Sequence, residues 1–242
     1  MQEATDAYRT ARDREESPGG GGSIRRGLFI TIEGPEGSGK TTQARRLVEH
    51  LRRRHDVIYA REPGGTPIGE RIRTLLLDEA HREMSPQAEM LLFAASRAQF
   101  VAEIVEPALH EGRLVVSERY VDASLAYQGY ARGLGLDVVR RVNDAATRGI
   151  KPDLTIMIDI EPAVGLERAR QTEGKEGRRG RGDRLEQEDL TFFTRAREGF
   201  LAIATEEPAR VRLIDGGRSP EAVHADVVRE VDAFIAARGW GT

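Results

Sequence analysis

The chain has 242 residues, 37 Lys and Arg against 40 Asp and Glu for a net charge of -3, and no cysteine. That length holds one large α/β domain or two small ones; the mixed surface gives no nucleic-acid footprint, and the missing cysteines exclude disulfides, thiol catalysis and Cys-based zinc sites. No apolar run approaches the roughly 20 residues of a membrane span, and the charged N-terminus lacks the apolar core of a signal peptide, so a soluble cytoplasmic protein is expected.

Residues 1–27 stand apart. Met1 to Ser17 alternates charge without an apolar stripe, and Pro18-Gly19-Gly20-Gly21-Gly22-Ser23 has the composition of a flexible linker. The segment reads as a disordered extension, with the folded domain spanning 28–242.

Leu28–Ile32 reads as a short buried strand, and Thr41 to Arg54 as a helix with Ala44, Leu47, Val48 and Leu51 at helical spacing. Between them Gly34-Pro35-Glu36-Gly37-Ser38-Gly39-Lys40-Thr41 fits G-x-x-x-x-G-K-[ST], the phosphate-binding P-loop. The strand–loop–helix context makes it an anion site. Glycines let backbone N–H groups turn onto phosphates, and the helix N-terminus adds its own field. Lys40 is placed to reach the β/γ-phosphates, and the Thr41 hydroxyl to take Mg²⁺.

Further strands are expected at Val57–Arg61, Arg113–Ser117, Leu154–Asp159 and Arg210–Ile214, all apolar and β-branched at their cores. Arg61-Glu62-Pro63-Gly64-Gly65-Thr66 follows the second strand as a tight loop, with Arg71 and Arg73 on the next helix in reach of an anion. Ser85-Pro86 is an N-cap followed by proline, opening a long helix from Gln87 to His110. Within it Phe93 and Arg97 lie four apart on one face, a stacking ring beside a fork donor suited to a flat heterocycle. Glu118-Arg119-Tyr120 and Ser124-Leu125-Ala126-Tyr127-Gln128-Gly129 follow the third strand. There an acid can hold Mg²⁺, and an arginine can bridge donor and acceptor phosphates. Pro162 opens another helix, and Ser219-Pro220 the last, with Val223, Val227, Val228, Val231, Phe234 and Ile235 as its inner stripe. Between the last two helices the glycine- and arginine-rich stretch Glu173–Arg184 cannot pack a core and reads as a mobile lid, about 172–184, whose arginines close over phosphates. His50, His55, His81, His110 and His224 show no metal-ligand spacing. Strand–helix alternation predicts a parallel, doubly wound sheet, with ligands beyond the carboxyl ends of its strands.

Taken together and in this order, Ile32–Thr42, Arg61–Thr66, Leu91–Arg97, Ser117–Tyr120 and Ala126–Gly129 resemble the thymidylate kinase family, from about Leu28 to Trp240. The resemblance implies a P-loop nucleoside monophosphate kinase fold, a five-stranded parallel sheet flanked by helices with an arginine-rich lid. It implies an enzyme that converts ATP and dTMP to ADP and dTDP with Mg²⁺, on the route to dTTP, and a homodimer with no membrane or nucleic-acid partner. By position it implies that Phe93 stacks on thymine, Arg97 bonds O4, Ser124 contacts the base, and Tyr127 packs where a 2′-hydroxyl clashes. It puts Glu36 near the 3′-hydroxyl and the metal, Arg73 at the dTMP phosphate, Gln128 in the acceptor site and Arg119 at the transferring phosphates. It aligns Glu62-Pro63 with a position often cis. With no arginine in the P-loop, the catalytic arginine belongs to the lid, among Arg178, Arg179 and Arg181, with Arg179 preferred. The sequence departs from the family in carrying Glu118 where Asp is usual. Two alternatives remain: a kinase of the same fold acting on another nucleoside monophosphate, and a P-loop module that binds nucleotide without transferring phosphate.

Overall fold

The computed structural model describes residues 26–175 and 183–240. Five strands, β1 Leu28–Glu33, β2 Val57–Arg61, β3 Leu114–Glu118, β4 Leu154–Asp159 and β5 Val211–Asp215, form one sheet in the order β2-β3-β1-β4-β5. Every pairing is parallel. The chain lays β2 and β3 on one side of β1, then β4 and β5 on the other. This change of direction opens a crevice at the carboxyl end of β1, where α/β sheets bind ligands.

Both faces of the sheet are covered, which is why its strands read as continuous apolar runs. Leu28, Ile30 and Ile32 of β1 pack with Ala44, Leu47, Val48 and Leu51 of α1 (Lys40–Leu51) and with Val223, Val227, Val231 and Ile235 of α9 (Pro220–Ala237). On the opposite face Phe29 packs with Phe100, Val101 and Val105. The polar interruption in β1 is matched inside the sheet, where the Thr31 and Thr155 hydroxyls lie 2.7 Å apart.

Helices α2 (Pro67–Leu77), α3 (Pro86–Phe100) and α9 begin alike. Thr66, Ser85 and Ser219 accept from the backbone N–H groups of Gly69, Ala88 and Ala222, each followed by proline at the first helical position. The sequence expects one unbroken helix from Gln87 to His110. The structure instead inserts a π-helical turn, Val101–Val105, between α3 and α4 (Glu106–His110). Pro107 is the cause: it has no N–H to donate and its ring crowds the carbonyl four residues back. The wider turn absorbs this, with Glu106 N–H bonding Val101 O. A second π-helical turn, Leu125–Ala131, follows the short α5 (Val121–Ser124), and there Arg132 N–H bonds Tyr127 O at 2.8 Å.

Strands β3 and β5 lie one residue later than the sequence predicts, so Glu118 closes β3, in register with Ile32 and Arg61. Helix α1 begins at Lys40 and ends at Leu51, ahead of the expected Arg54. Helices α6 (Leu136–Thr147), α7 (Pro162–Lys175) and α8 (Leu190–Glu206) complete the described chain. The expected N-terminal extension and the lid arginines Arg178, Arg179 and Arg181 lie outside the described residues, apart from Arg26 and Gly27. No helix among the described residues is long and apolar enough to cross a membrane.

Candidate active site

The loop from Gly34 to Gly39 leaves β1 and enters α1 at the centre of the sheet. Gly37 has φ +66°, and a Cβ there falls 1.8 Å from Gly165 O, so only glycine lets the loop lie against α7. Around this loop a cleft of about 730 Å³ runs to both sides of β1. On the β2–β3 side its wall includes Glu62, Arg73, Phe93, Arg97, Arg119, Ser124, Tyr127 and Gln128. On the β4–β5 side it includes Arg168, Gly216, Arg218 and Pro220.

Of the residues picked out from sequence, Glu36, Gly37, Ser38, Gly39, Lys40, Thr41, Arg73, Phe93, Arg97, Glu118, Arg119, Ser124, Tyr127 and Gln128 all line this one cleft. Gly34 and Pro35 lie behind it as loop backbone. Lys40 folds back, its ammonium 2.6 Å from Pro35 O. Burial and the neighbouring Arg119 guanidinium push the Lys40 ammonium down to about 8. Arg119 forms an ion pair with Glu36, donates to Gly34 O at 3.3 Å and lies 5.2 Å from the centre of the Tyr127 ring. Burial alone raises a carboxyl, yet Arg119, Lys40 and Arg73 together hold Glu36 below its ordinary value. The backbone at Arg119 is left-handed, φ +66°, a conformation that costs a side-chain-bearing residue roughly 1–3 kcal/mol. Hydrogen bonds hold it on both sides, Arg119 N–H to Ile32 O at 3.0 Å and Ser117 Oγ to Arg119 O at 2.9 Å. The result turns Arg119 from the end of β3 back over the loop.

Thr41 donates its hydroxyl to Glu118 Oε2 at 2.6 Å, and Tyr59 donates to the other Glu118 oxygen. A hydroxyl and a carboxylate meeting at the head of α1 are hard oxygen donors. They suit Mg²⁺, which keeps most of its waters and takes one or two protein oxygens plus phosphate. Among the described residues no group of three or more His, Cys, Asp or Glu could hold a metal ion by itself.

The acceptor-side residues are tied to one another. Arg97 is almost fully buried and donates from Nε to Glu62 Oε2 at 2.8 Å, from Nη1 to Ser124 Oγ at 2.9 Å and Asn143 Oδ1 at 2.6 Å, and from Nη2 to Tyr120 O at 2.8 Å. Burial pushes Glu62 up to about 7 against the pull of Arg97. Gln128 donates to Glu89, which also accepts from Arg132 and Arg184. Arg73 donates to Pro63 O at 3.0 Å, and the Glu62–Pro63 bond is cis, as the family resemblance implies. Phe93 takes its place in the wall, whereas Arg71 does not line the cleft.

Three participants escape a sequence reading. Tyr59 reaches Glu118 from mid-strand in β2, and nothing in a lone strand tyrosine marks it. Asn143 meets Arg97 from α6, 46 positions away. Glu33, the residue before the P-loop, is fully buried and accepts from the backbone N–H groups of Tyr120 at 2.7 Å and Ala123 at 3.3 Å. A charged residue inside an apolar strand was the available signal for Glu33.

Residues 32–227 match the thymidylate kinase family model. The chain is 50% identical over 217 residues to the thymidylate kinase of Deinococcus radiodurans, covering 89% of this chain and all of that one. It is 46% identical over 211 residues to that of Nitratidesulfovibrio vulgaris strain DP4, covering 87% and 92%. The crystal structure of thymidylate kinase from Ehrlichia chaffeensis superposes with a TM-score of 0.68 at 31% identity, covering 85% of this chain and 99% of that one.

Proposed function

The chain belongs to the thymidylate kinase family, and from that premise we propose that its cleft transfers the γ-phosphoryl group of ATP to the 5′-phosphate of dTMP, giving ADP and dTDP. The single observation that carries the site reading is the cleft itself, which runs unbroken from the phosphate loop to the Phe93–Arg97–Tyr127 wall.

ATP lies with its phosphates on Gly34–Thr41 and its nucleoside toward the β4–β5 side. dTMP lies on the β2–β3 side, with thymine against Phe93, Arg97 and Ser124, and the deoxyribose against Tyr127 and Gln128. Arg73 holds the dTMP phosphate, and Glu36 faces the sugar. An oxygen of that phosphate attacks the γ-phosphorus, and the bond to the β–γ bridging oxygen breaks as ADP leaves. Such a transition state is loose, so catalysis is positioning and charge neutralisation. Lys40 leaves Pro35 O for the β/γ oxygens, and Arg119 spans donor and acceptor phosphates. The acceptor oxygen is already ionised at neutral pH, so no general base is assigned. Thr41, with Glu118 beside it, would hold Mg²⁺, which would supply charge neutralisation at the phosphates. The role given to Arg179, a positive charge over the moving group, rests on sequence alone.

A cytoplasmic homodimer fits the family. Leu91 on α3 is 56% exposed and Ile68 on the adjoining α2 is 50% exposed, two apolar side chains available to a second copy.

The test is coupled ADP release with ATP and Mg²⁺, comparing dTMP, dUMP, UMP and AMP. The reading predicts turnover that requires a monophosphate and is fastest with dTMP. Faster turnover with another monophosphate defeats the substrate assignment, and no stimulation by any acceptor defeats the kinase reading.

A further inference from the structure

Helix α6 buries Val139, Asn143, Ala146 and Thr147 against the protein. At this spacing an inward stripe calls for apolar residues, and an amide placed there is costly unless its hydrogen bonds are made. Asn143 is 5% exposed, and only half of its amide is bonded. Its Oδ1 accepts from Arg97 Nη1 at 2.6 Å, while its Nδ2 has no partner. Because a guanidinium only donates, the oxygen must face Arg97, and the unbonded NH₂ follows from that choice. A helix selected for packing alone gains nothing from such a residue.

What Asn143 does is restrain Arg97. Of the five N–H donors of that guanidinium, four are taken: by Glu62, Ser124, Asn143 and the Tyr120 carbonyl. The acceptors come from three separate stretches of chain, Tyr120 and Ser124 belonging to one of them, and fix the plane of the fork. One donor remains, and Arg97 stands in the cleft wall. Asn143 does not line that cleft. It lines a separate cavity of about 120 Å³ beside Arg140, Lys151 and Arg210. Whatever it contributes to the acceptor site therefore passes through Arg97.

We propose that Asn143 is a positioning residue for acceptor specificity: it holds Arg97 so that its remaining donor meets an oxo group on the base and rejects an amino group at the same position. This rests on the reading of Arg97 as the base-facing group of a dTMP site. Without the Asn143 oxygen, a buried N–H of Arg97 loses its acceptor. The guanidinium turns to recover one and unseats its bonds to Ser124 and Tyr120. The oxo-versus-amino distinction blurs, whereas the phosphate loop, built on another part of the chain, is untouched.

The test compares kcat/KM for dTMP and for 5-methyl-dCMP, which carries an amino group in place of O4 and an unprotonated N3 in place of N3–H. Asn143→Ala, Asn143→Leu and Asn143→Asp are measured beside the parent chain, with KM for ATP and the melting temperature of each. Asn143→Leu keeps the packing volume, and Asn143→Asp keeps the acceptor oxygen. The expected result is a roughly tenfold loss of the dTMP preference in Asn143→Ala and Asn143→Leu, the loss of one hydrogen bond to a charged group. It appears mainly in KM for dTMP, with KM for ATP unchanged, and Asn143→Asp restores the preference to within about threefold. If Asn143→Ala does not fold, Asn143→Leu carries the same readout. A preference unchanged in Asn143→Leu, or a loss that follows the melting temperature and raises KM for ATP equally, overturns the assignment. A parent chain that discriminates while its variants also do overturns the role of Asn143 alone. A parent chain that does not discriminate overturns the Arg97 reading and this inference with it.

Discussion

Lys40 and Glu118 make opposite demands on the same few ångströms. Lys40 donates to Pro35 O at 2.6 Å. In Lys40→Ala the donor that follows charge onto the β/γ oxygens is gone, and kcat should fall at least about a hundredfold, the scale of a lost transition-state donor. Single-turnover mixing with saturating ATP separates this from weaker binding. An unchanged single-turnover rate removes Lys40 from the chemistry. Glu118 accepts from both Thr41 and Tyr59, which orients the carboxylate at the head of α1. Glu118→Gln should raise the Mg²⁺ concentration for half-maximal activity by about tenfold or more, the usual effect of disturbing a group that orients a metal ligand. Titrating Mg²⁺ at fixed ATP reads this directly, and an unmoved midpoint rules Glu118 out of the metal site. These residues were legible because each stands in a short motif with a fixed mechanical reason. Glu62, Tyr59 and Asn143 were not legible as partners, since their bonds join residues 35, 59 and 46 positions apart in the chain.

At the scale of elements, the loop and the two π-helical turns place the chemistry. The P-loop lies so close to α7 that Gly37→Ala cannot be accommodated without moving one of them. That substitution also forces a side chain into a left-handed conformation, costing about 1–3 kcal/mol. A fall in melting temperature of about 2–4 °C or more is expected for a domain of this size, together with loss of ATP binding. Scanning calorimetry with and without ATP is the check, and a variant that binds ATP normally contradicts the placement of the loop. Helix starts were legible because Ser85-Pro86 and Ser219-Pro220 announce themselves chemically. The π-helical turns were not. Pro107 was a signal of a fault that the reading of one unbroken helix passed over, and the turn it sits beside buries Val101 and Val105 in the core. Strand β3 slipped by one residue for a related reason: a strand buried along its whole length lacks the alternation that fixes a boundary.

On the scale of the whole molecule, the sheet order follows from strand–helix alternation only as far as "parallel and doubly wound"; that β1 lies between β3 and β4 is a tertiary fact. From it follows a cleft open to both sides of β1, with buried carboxyls beneath. Glu33 is pushed up to about 7, first by burial and then by Asp122, against the pull of Arg119, and Glu62 moves the same way through burial. A carboxyl raised above its usual 4.5 binds its proton more tightly in the folded chain than in the unfolded one. Its stabilising effect is full below 4.5 and is lost as pH rises through about 7. The melting temperature of the ligand-free protein should therefore fall across that window, and Glu33→Gln should flatten the fall. A melting temperature that rises over the same range contradicts the buried, proton-holding state of Glu33. Phosphoryl transfer between the two ends of one cleft is read by phosphorus NMR of the protein with ATP, Mg²⁺ and dTMP. The dTDP and ADP resonances are expected to grow together in equal amounts as ATP and dTMP disappear. ADP accompanied by inorganic phosphate, with dTMP unchanged, contradicts it.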